Sequence, residues 1–169
     1  MTKKKMMVIV ANYADLRESY GLLGPQLAAT IIQEHTDYEC IVLAVGHDFD
    51  KTILTSHIST LAGKDRPVIG FSNIGGRPDF WDIAQDLKAH GAITILGGPQ
   101  ADVDFRGEVN WQKHRNRFSG VKDSFSFALH GPAEQLIPVL NSPSENELYK
   151  AKGVHCFRGG NYRSNTSEK

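Results

Sequence analysis

Residues 68–98, VIGFSNIGGRPDFWDIAQDLKAHGAITILGG, decide the fold because they contain one complete strand–helix–strand unit. Two short apolar runs, at residues 67–72 and 92–96, have the length and the β-branched content of buried strands. Between them, apolar residues recur at helical spacing over residues 80–87, and Gly91 is placed to end the helix. The stretch therefore predicts two parallel strands joined by a crossover helix.

The same alternation of strand and helix patterns extends in both directions along the chain. Apolar runs at residues 6–10 and 39–45 predict two earlier buried strands. Residues 124–129 alternate like a fifth strand, and residues 153–157 predict a short last one. We therefore predict an α/β fold, a doubly wound domain of flavodoxin-like or Rossmann-like type with a mostly parallel sheet of five to six strands.

Two helices have readable boundaries or faces. Proline suits the first turn of a helix, so Pro25 predicts the start of the first one, in which Leu23, Leu27 and Ile31 form one apolar face. Either Asp48 or Asp50 can cap the next helix, and Gly63 is placed to end it. Together with the helix over residues 80–87, they give each of the first three crossovers a helix, whereas residues 102–122 show no readable pattern.

Length and composition indicate one domain with its own core. We expect residues 1–160 to form the domain and residues 161–169 to form a polar C-terminal tail. The 19 basic and 19 acidic side chains balance, so bulk charge does not direct the chain to nucleic acid or to an anionic membrane. No apolar run has the length of a membrane helix, and Cys40 and Cys156 lie outside any CxxC motif, so we expect a cytoplasmic protein with reduced thiols.

Ligands of doubly wound domains bind beyond the carboxyl ends of the parallel strands. In this sequence that rule selects four loops, at residues 12–20, 72–77, 97–100 and 130–134. Glycine, serine, asparagine and proline are frequent in these loops. We therefore expect a binding site at this edge of the sheet.

The residue types in three of these loops allow more than one interpretation. Gly97 and Gly98 let the backbone approach a ligand or adopt a positive φ, although tight strand-to-helix turns also use adjacent glycines. The hydroxyl of Ser72 can donate to a ligand or bond to its own loop. His130 is either a ligand contact or a structural residue. Asp79 is expected to cap the following helix.

Residues 130–134 also predict a helix N-terminus at the carboxyl end of the fifth strand. Free amides and the positive end of the helix dipole suit an amide-rich or phosphate-bearing ligand there. Glu134 lies in the first helical turn, where a carboxylate stabilises the helix with or without a ligand.

Several nucleotide-binding and catalytic motifs are missing from the sequence. Gly98 is not part of a GxGxxG fingerprint, and no GxxxxGK[ST] loop occurs. No Ser/His/Asp arrangement or Cys/His cluster can be argued either. We predict no catalytic residue and no metal ligand among the side chains, and we do not expect catalysis by this chain alone.

The ordered set of loops resembles the cobalamin (vitamin B12)-binding domain that precedes the radical S-adenosylmethionine (SAM) module in B12-dependent radical SAM proteins. Five segments share this order: residues 21–25 (GLLGP), 70–72 (GFS), 96–101 (LGGPQA), 131–134 (GPAE) and 153–160 (GVHCFRGG). The family carries a GLL segment at its first helix, a GGP segment after a strand and a GEGE-like turn before a later helix. The resemblance covers about residues 6–160.

The resemblance implies that the chain binds cobalamin, with the corrin over the carboxyl edge of the sheet and the nucleotide tail between sheet and helix. It implies tail contacts from Ser72 and residues 97–100, and contacts flanking the corrin from residues 12–20 and 130–134. The implied cofactor-binding residues are Asn12, Tyr13, Arg17, Tyr20, Gly21, Leu22, Ser72, Asn73, Ile74, Gly97, Gly98, Pro99, Gln100, His130, Gly131, Pro132, Ala133 and Glu134.

Two features depart from other B12 proteins. In the methionine synthase and mutase branch, a DxHxxG loop supplies a histidine to cobalt, whereas Arg17 stands at that place here. The resemblance therefore implies binding without a histidine ligand (base-off, His-off). The CxxxCxxC motif of a radical SAM domain is absent, so any SAM and 4Fe-4S cluster would belong to a separate domain, in cis or in trans.

Two rival functions fit the same sequence. The chain could be a degenerate B12-type domain that serves as a scaffold or homodimerisation unit. It could also be a flavodoxin-like module for another nucleotide-like ligand such as FMN. A fold alone does not choose among these functions.

Overall fold

A computed structural model describes residues 5–13, 22–64, 67–72, 74, 77–98, 123–129 and 131–141, together with the backbone of residues 154–158 and 161–164. In chain order the elements are β1 (Lys5–Asn12), α1 (Leu23–His35), β2 (Tyr38–Val45), α2 (Lys51–Ala62), β3 (Val68–Ser72), α3 (Pro78–Ala89), β4 (Ile93–Gly97), β5 (Phe127–Leu129), a 3₁₀ helix (Ala133–Leu136), α4 (Ile137–Asn141), β6 (Val154–Arg158) and β7 (Asn161–Ser164).

The strands form one sheet in the order β2-β1-β3-β4-β5-β6-β7. The first five strands in that order are parallel, and β6 and β7 add to β5 in antiparallel fashion. Helices cover both faces, which confirms the predicted doubly wound α/β fold. The sheet is wider than the five to six strands predicted, because Asn161–Ser164, in the predicted polar tail, pairs with β6.

The two faces of the sheet carry separate apolar layers. On one face, Val8, Ile69 and Leu96 pack with residues of α2 and α3 such as Ile58 and Phe80. On the other face, the alternate residues of the same strands pack with α1 and α4. Each strand therefore serves two cores, which is why β1 and β3 read as nearly continuous apolar runs.

Local signals explain most of the helix boundaries. The Asp50 carboxylate accepts a hydrogen bond from the Ile53 N–H at 2.9 Å and caps α2, and Gly63 ends that helix with a φ of 78°. In α3, the predicted apolar positions from Phe80 to Leu87 are buried. Asp79 does not cap α3, because Arg77 occupies the N-cap position and Asp79 is the second helical residue.

Two predictions of burial were wrong. The second strand, β2, is an edge strand, and of its eight residues only Tyr38 and Val45 are buried. Helix α1 packs on the sheet through Pro25, Ala29 and Ile32, whereas Leu27 of its predicted apolar face is 58% exposed. Packing on the sheet therefore does not explain the second apolar stripe of α1, which contains Leu27.

Candidate functional site

The strand order places a change of direction between β1 and β3. The chain turns from β1 into α1 on one face of the sheet and from β3 into α3 on the other. Doubly wound domains bind ligands in the crevice that such a switch opens at the carboxyl edge. The site is therefore expected where the ends of β1, β3 and β4 meet.

A cavity of about 510 Å³ lies at this position, between the sheet and α1, with the 3₁₀ helix on its far side. Its lining comes from β1, β3, β4, the end of β5, the first three turns of α1 and the segment that follows β5. The lining residues are Met7, Ile9, Gly24, Pro25, Leu27, Ala28, Ile31, Ile32, Gly70, Phe71, Ser72, Ile95, Gly97, Gly98, Leu129, Gly131, Pro132, Ala133, Glu134 and Leu136. Since Leu27 is both lining and exposed, the cavity opens along α1.

Small residues form the floor of the cavity. Gly70 of β3 pairs with Ile95 of β4, and Ser72 pairs with Gly97, so Gly70, Ser72 and Gly97 all face α1 on adjacent strands. Large side chains fill this face of the sheet elsewhere. At these three positions the side chains are the hydrogen atoms of the two glycines and the hydroxymethyl group of the serine. This interruption creates the room between the sheet and α1.

Packing among the described residues does not account for glycine at position 97. Within them, a Cβ atom built on Gly97 would meet only the Phe71 carbonyl oxygen, at an ordinary 3.9 Å, and Gly97 has no positive φ. A Cβ on Gly24 in the first turn of α1 would meet none of the described residues within 4 Å, although glycine weakens a helix. By contrast, a Cβ on Gly70 would approach Met7 Cε to 3.2 Å. Contacts among the described residues therefore do not explain glycine at positions 97 and 24.

The walls of the cavity are mostly apolar. Among the described lining residues, the Ser72 hydroxyl is the single neutral polar side chain and the Glu134 carboxylate is the single charged one. No basic side chain lines the cavity within the part of the chain that the structure describes. Such walls suit an uncharged aromatic or aliphatic group better than a phosphate.

The structure brings together seven of the predicted cofactor-binding residues. Lining the cavity are Ser72, Gly97, Gly98, Gly131, Pro132, Ala133 and Glu134. Described but not part of the lining are Asn12, Tyr13, Leu22 and Ile74. Outside the described residues lie Arg17, Tyr20, Gly21, Asn73, Pro99, Gln100 and His130.

The segment after β5 differs from its prediction. The predicted helix is a four-residue 3₁₀ helix, Ala133–Leu136, followed by the five-residue α4. Few peptide dipoles align in so short a turn, so the expected anion-binding helix end is not supported. Gly131 has a φ of 119°, which explains glycine at that position through backbone conformation.

Sequence reasoning missed the cavity residues of α1 and the strand interiors. Gly70 lies in the middle of β3, and a glycine inside a strand often marks a close approach by a ligand or another backbone. Gly24 on α1 was a second signal, because a core-facing helix seldom needs glycine in its first turn. Met7 and Ile9 carry no signal that separates them from ordinary core residues.

Arg77 forms a second polar centre at the same edge of the sheet, and sequence analysis missed it. Its side chain is 5% exposed and lies over the Phe80 ring, with the guanidinium carbon 4.1 Å from the ring centroid. Nε and Nη2 donate to the Asp79 carboxylate, the closest contact being 2.7 Å. Nη1 donates to Asn12 Oδ1 at the end of β1. The backbone carbonyls of Val45 and Gly46 accept the remaining donors at 3.4 and 3.0 Å.

Acid is expected to weaken the fold through this centre. The hydrogen bonds from Arg77 lower the pKa of Asp79, so the folded state favours the ionised carboxylate. That stabilisation is present above the unfolded pKa, about 4, and is lost as the pH falls through the lower folded pKa. Urea unfolding of the wild type should therefore weaken more steeply below about pH 4 than that of Asp79→Asn.

The control for this pH series is Asp82→Asn, which removes a carboxylate from the same helix. Asp82 pairs with Lys51 at 3.4 Å, and both side chains are solvent-exposed. Exposed pairs contribute little, so this variant should stay close to the wild type at pH 7, where Asp79→Asn is already less stable. Equal acid slopes for the wild type and Asp79→Asn would contradict the role of Asp79.

Three further observations bear on the class of protein. The described residues contain no group of three His, Cys, Asp or Glu side chains that could hold a metal ion. Among the helices described, none is long and apolar enough to cross a membrane. No protein-family model matches the sequence, and no curated protein matches it either.

Proposed function

We propose that this chain is a cobalamin-binding module. The observation that carries the proposal is the floor of the cavity, where the small residues Ser72 and Gly97 leave the strand backbone open to a ligand. A large group lying against β4 would give a physical reason for glycine at position 97, which the packing of the described residues does not supply.

The chemistry of the cavity fits one part of cobalamin in particular. The nucleotide tail of cobalamin ends in an uncharged, largely apolar aromatic base. Walls such as Ile9, Ile95 and Leu129 would hold that base by apolar contact, and the Ser72 hydroxyl is placed to donate or accept one hydrogen bond. The much larger corrin would lie beyond the carboxyl edge of the sheet, next to the segment from Gly131 to Glu134.

The chain's own contribution is binding and orientation. When bound, cobalamin supplies a cobalt centre that accepts and donates methyl groups or assists rearrangements. We propose that a radical SAM domain, in cis or in trans, provides SAM and a 4Fe-4S cluster for the complete reaction. We also propose a cytoplasmic location. The sequence is compatible with a homodimer. These proposals rest on the sequence resemblance and on the fit of the cavity.

A titration of the purified chain with hydroxocobalamin, followed by desalting, tests the proposal. We expect about one cobalamin to be retained per chain, with a visible spectrum that lacks histidine coordination. Retention with a histidine-coordinated spectrum would contradict the base-off, His-off mode. Absence of retained cobalamin would overturn the binding function and would leave the scaffold role as the better explanation.

A parallel titration with FMN distinguishes the other rival. If the chain is a cobalamin-binding module, no flavin should be retained after desalting. A yellow protein after desalting would contradict the cobalamin proposal and favour a flavodoxin-like module.

A further inference from the structure

We propose that Arg77 is a positioning residue for the cavity site, because it holds the carboxyl end of β1, where Ala11 pairs with Ser72 of the cavity floor. The inference rests on the proposed function, since it gives Arg77 an indirect part in cobalamin binding. Arg77 does not line the cavity and acts through Asn12.

Arg77 joins three elements at one point. It is the N-cap residue of α3, its side chain bonds to Asn12 at the end of β1, and it bonds to the carbonyls of Val45 and Gly46 at the end of β2. The five N–H donors of a guanidinium have fixed directions. Here they are all used, by Asp79, Asn12, Val45 and Gly46, so one orientation of the group satisfies every donor.

Charge neutralisation alone does not require this arrangement. The Asp79 carboxylate already pairs with Arg77 through two nitrogens, and the Phe80 face lies against the guanidinium. The bonds to Asn12 and Gly46 link the guanidinium to strand ends that are 65 and 31 residues away in sequence. Their effect is to set the positions of β1 and β2 relative to α3.

The end of β1 matters for the cavity because β1 supplies part of its lining. Met7 and Ile9 line the cavity, whereas Asn12 does not and instead bonds to Arg77. The Tyr13 N–H donates to the Val45 carbonyl at 2.9 Å, and the same oxygen accepts from Arg77. The last described residues of β1 are therefore held from the side opposite the ligand.

Amide hydrogen exchange tests the positioning without any ligand. Arg77→Lys keeps the positive charge but loses the planar guanidinium and its fixed set of N–H donors. Asn12→Ala keeps Arg77 and removes one of its acceptors. We expect each variant to raise the exchange rate of the Tyr13 amide about tenfold more than that of the Val8 amide in the middle of β1, which reports global unfolding. Equal acceleration at Tyr13 and Val8 would show a role in global stability only, and would overturn the inference.

Affinity for hydroxocobalamin supplies the second readout. We expect each single variant to bind about tenfold more weakly, and the double variant to bind no more weakly than either single one. Additive losses would show that Arg77 does not act through Asn12. If the wild type retains no cobalamin, the proposed function fails, and with it the ligand part of this inference. Selective exchange at Tyr13 would in that case still support the fixing of the β1 end.

Asp82→Asn is the matched control for both readouts, because it changes a charge on α3 that lies outside this network. It should leave the Tyr13 exchange rate and the affinity at their wild-type values. Should Arg77→Lys fail to fold, Asn12→Ala alone decides the exchange test, since it removes a single hydrogen bond and leaves the Asp79 pair in place.

Discussion

Gly97→Val is expected to weaken hydroxocobalamin binding by about 10- to 100-fold while the protein remains folded. The valine side chain would project from β4 into the cavity, on the face that Ser72 shares. Among the described residues its Cβ would meet just the Phe71 carbonyl oxygen, at 3.9 Å, and β-branched residues suit a strand, so the cost to folding should be small. Equilibrium titration and thermal unfolding measure the two effects separately.

Two controls sharpen this test. Gly97→Ala adds one carbon and should fall between the wild type and Gly97→Val in affinity. Ala44→Val adds the same branching to the exposed end of β2, away from the cavity, and should leave the affinity unchanged. Wild-type affinity in Gly97→Val, with the variant folded, would show that the ligand does not lie against β4.

Phe80→Ala is expected to lower the free energy of unfolding by about 3–5 kcal/mol. The Phe80 side chain is fully buried between the sheet and α3, so its removal leaves a cavity in the larger apolar layer. It also removes the ring face that lies 4.1 Å from the Arg77 guanidinium. Urea unfolding monitored by circular dichroism measures the loss.

The comparison variants separate packing from the contact with Arg77. Phe80→Leu keeps most of the apolar volume but no aromatic face, so it should lose much less stability than Phe80→Ala. Ile53→Ala, on an exposed position of α2, should stay within about 0.5 kcal/mol of the wild type. A loss below about 1 kcal/mol in Phe80→Ala would contradict the buried position of the ring.

The central strand–helix–strand unit could be predicted because its local signals agree with its tertiary position. β3 and β4 are buried on both faces, and the helix between them packs through the residues whose spacing predicted it. The antiparallel β7 could not be predicted, because Asn161–Ser164 has no apolar alternation and forms a strand through pairing with β6.

The site was predicted in part, for a related reason. Loops at the carboxyl edge follow from topology, so Ser72 and Gly97 were found. The α1 side of the cavity was missed because Leu27 and Ile31 have the same spacing whether they pack on a sheet or border an open space. Periodicity shows which face of a helix is apolar, and it does not show what that face touches.

Arg77 was missed because its role depends on partners that are distant in the sequence. Nothing near Arg77 indicates that Asn12 and Gly46 would lie beside it, and a lone arginine in a glycine-rich loop is ordinarily solvated. Its neighbour Asp79 was predicted to be a helix cap, since a short carboxylate before an apolar run usually is one.

The open space beside Gly97 also has an evolutionary consequence. If the cavity holds a cofactor, selection for binding keeps position 97 small, whereas selection for folding is nearly indifferent to it. A lineage that lost cofactor binding and kept the domain as a scaffold would therefore acquire larger residues at position 97 by drift. At position 24, in the first turn of α1, a larger residue would also stabilise the helix. Residue size at these two positions would then separate binding members from scaffolds in a set of relatives whose folds are indistinguishable.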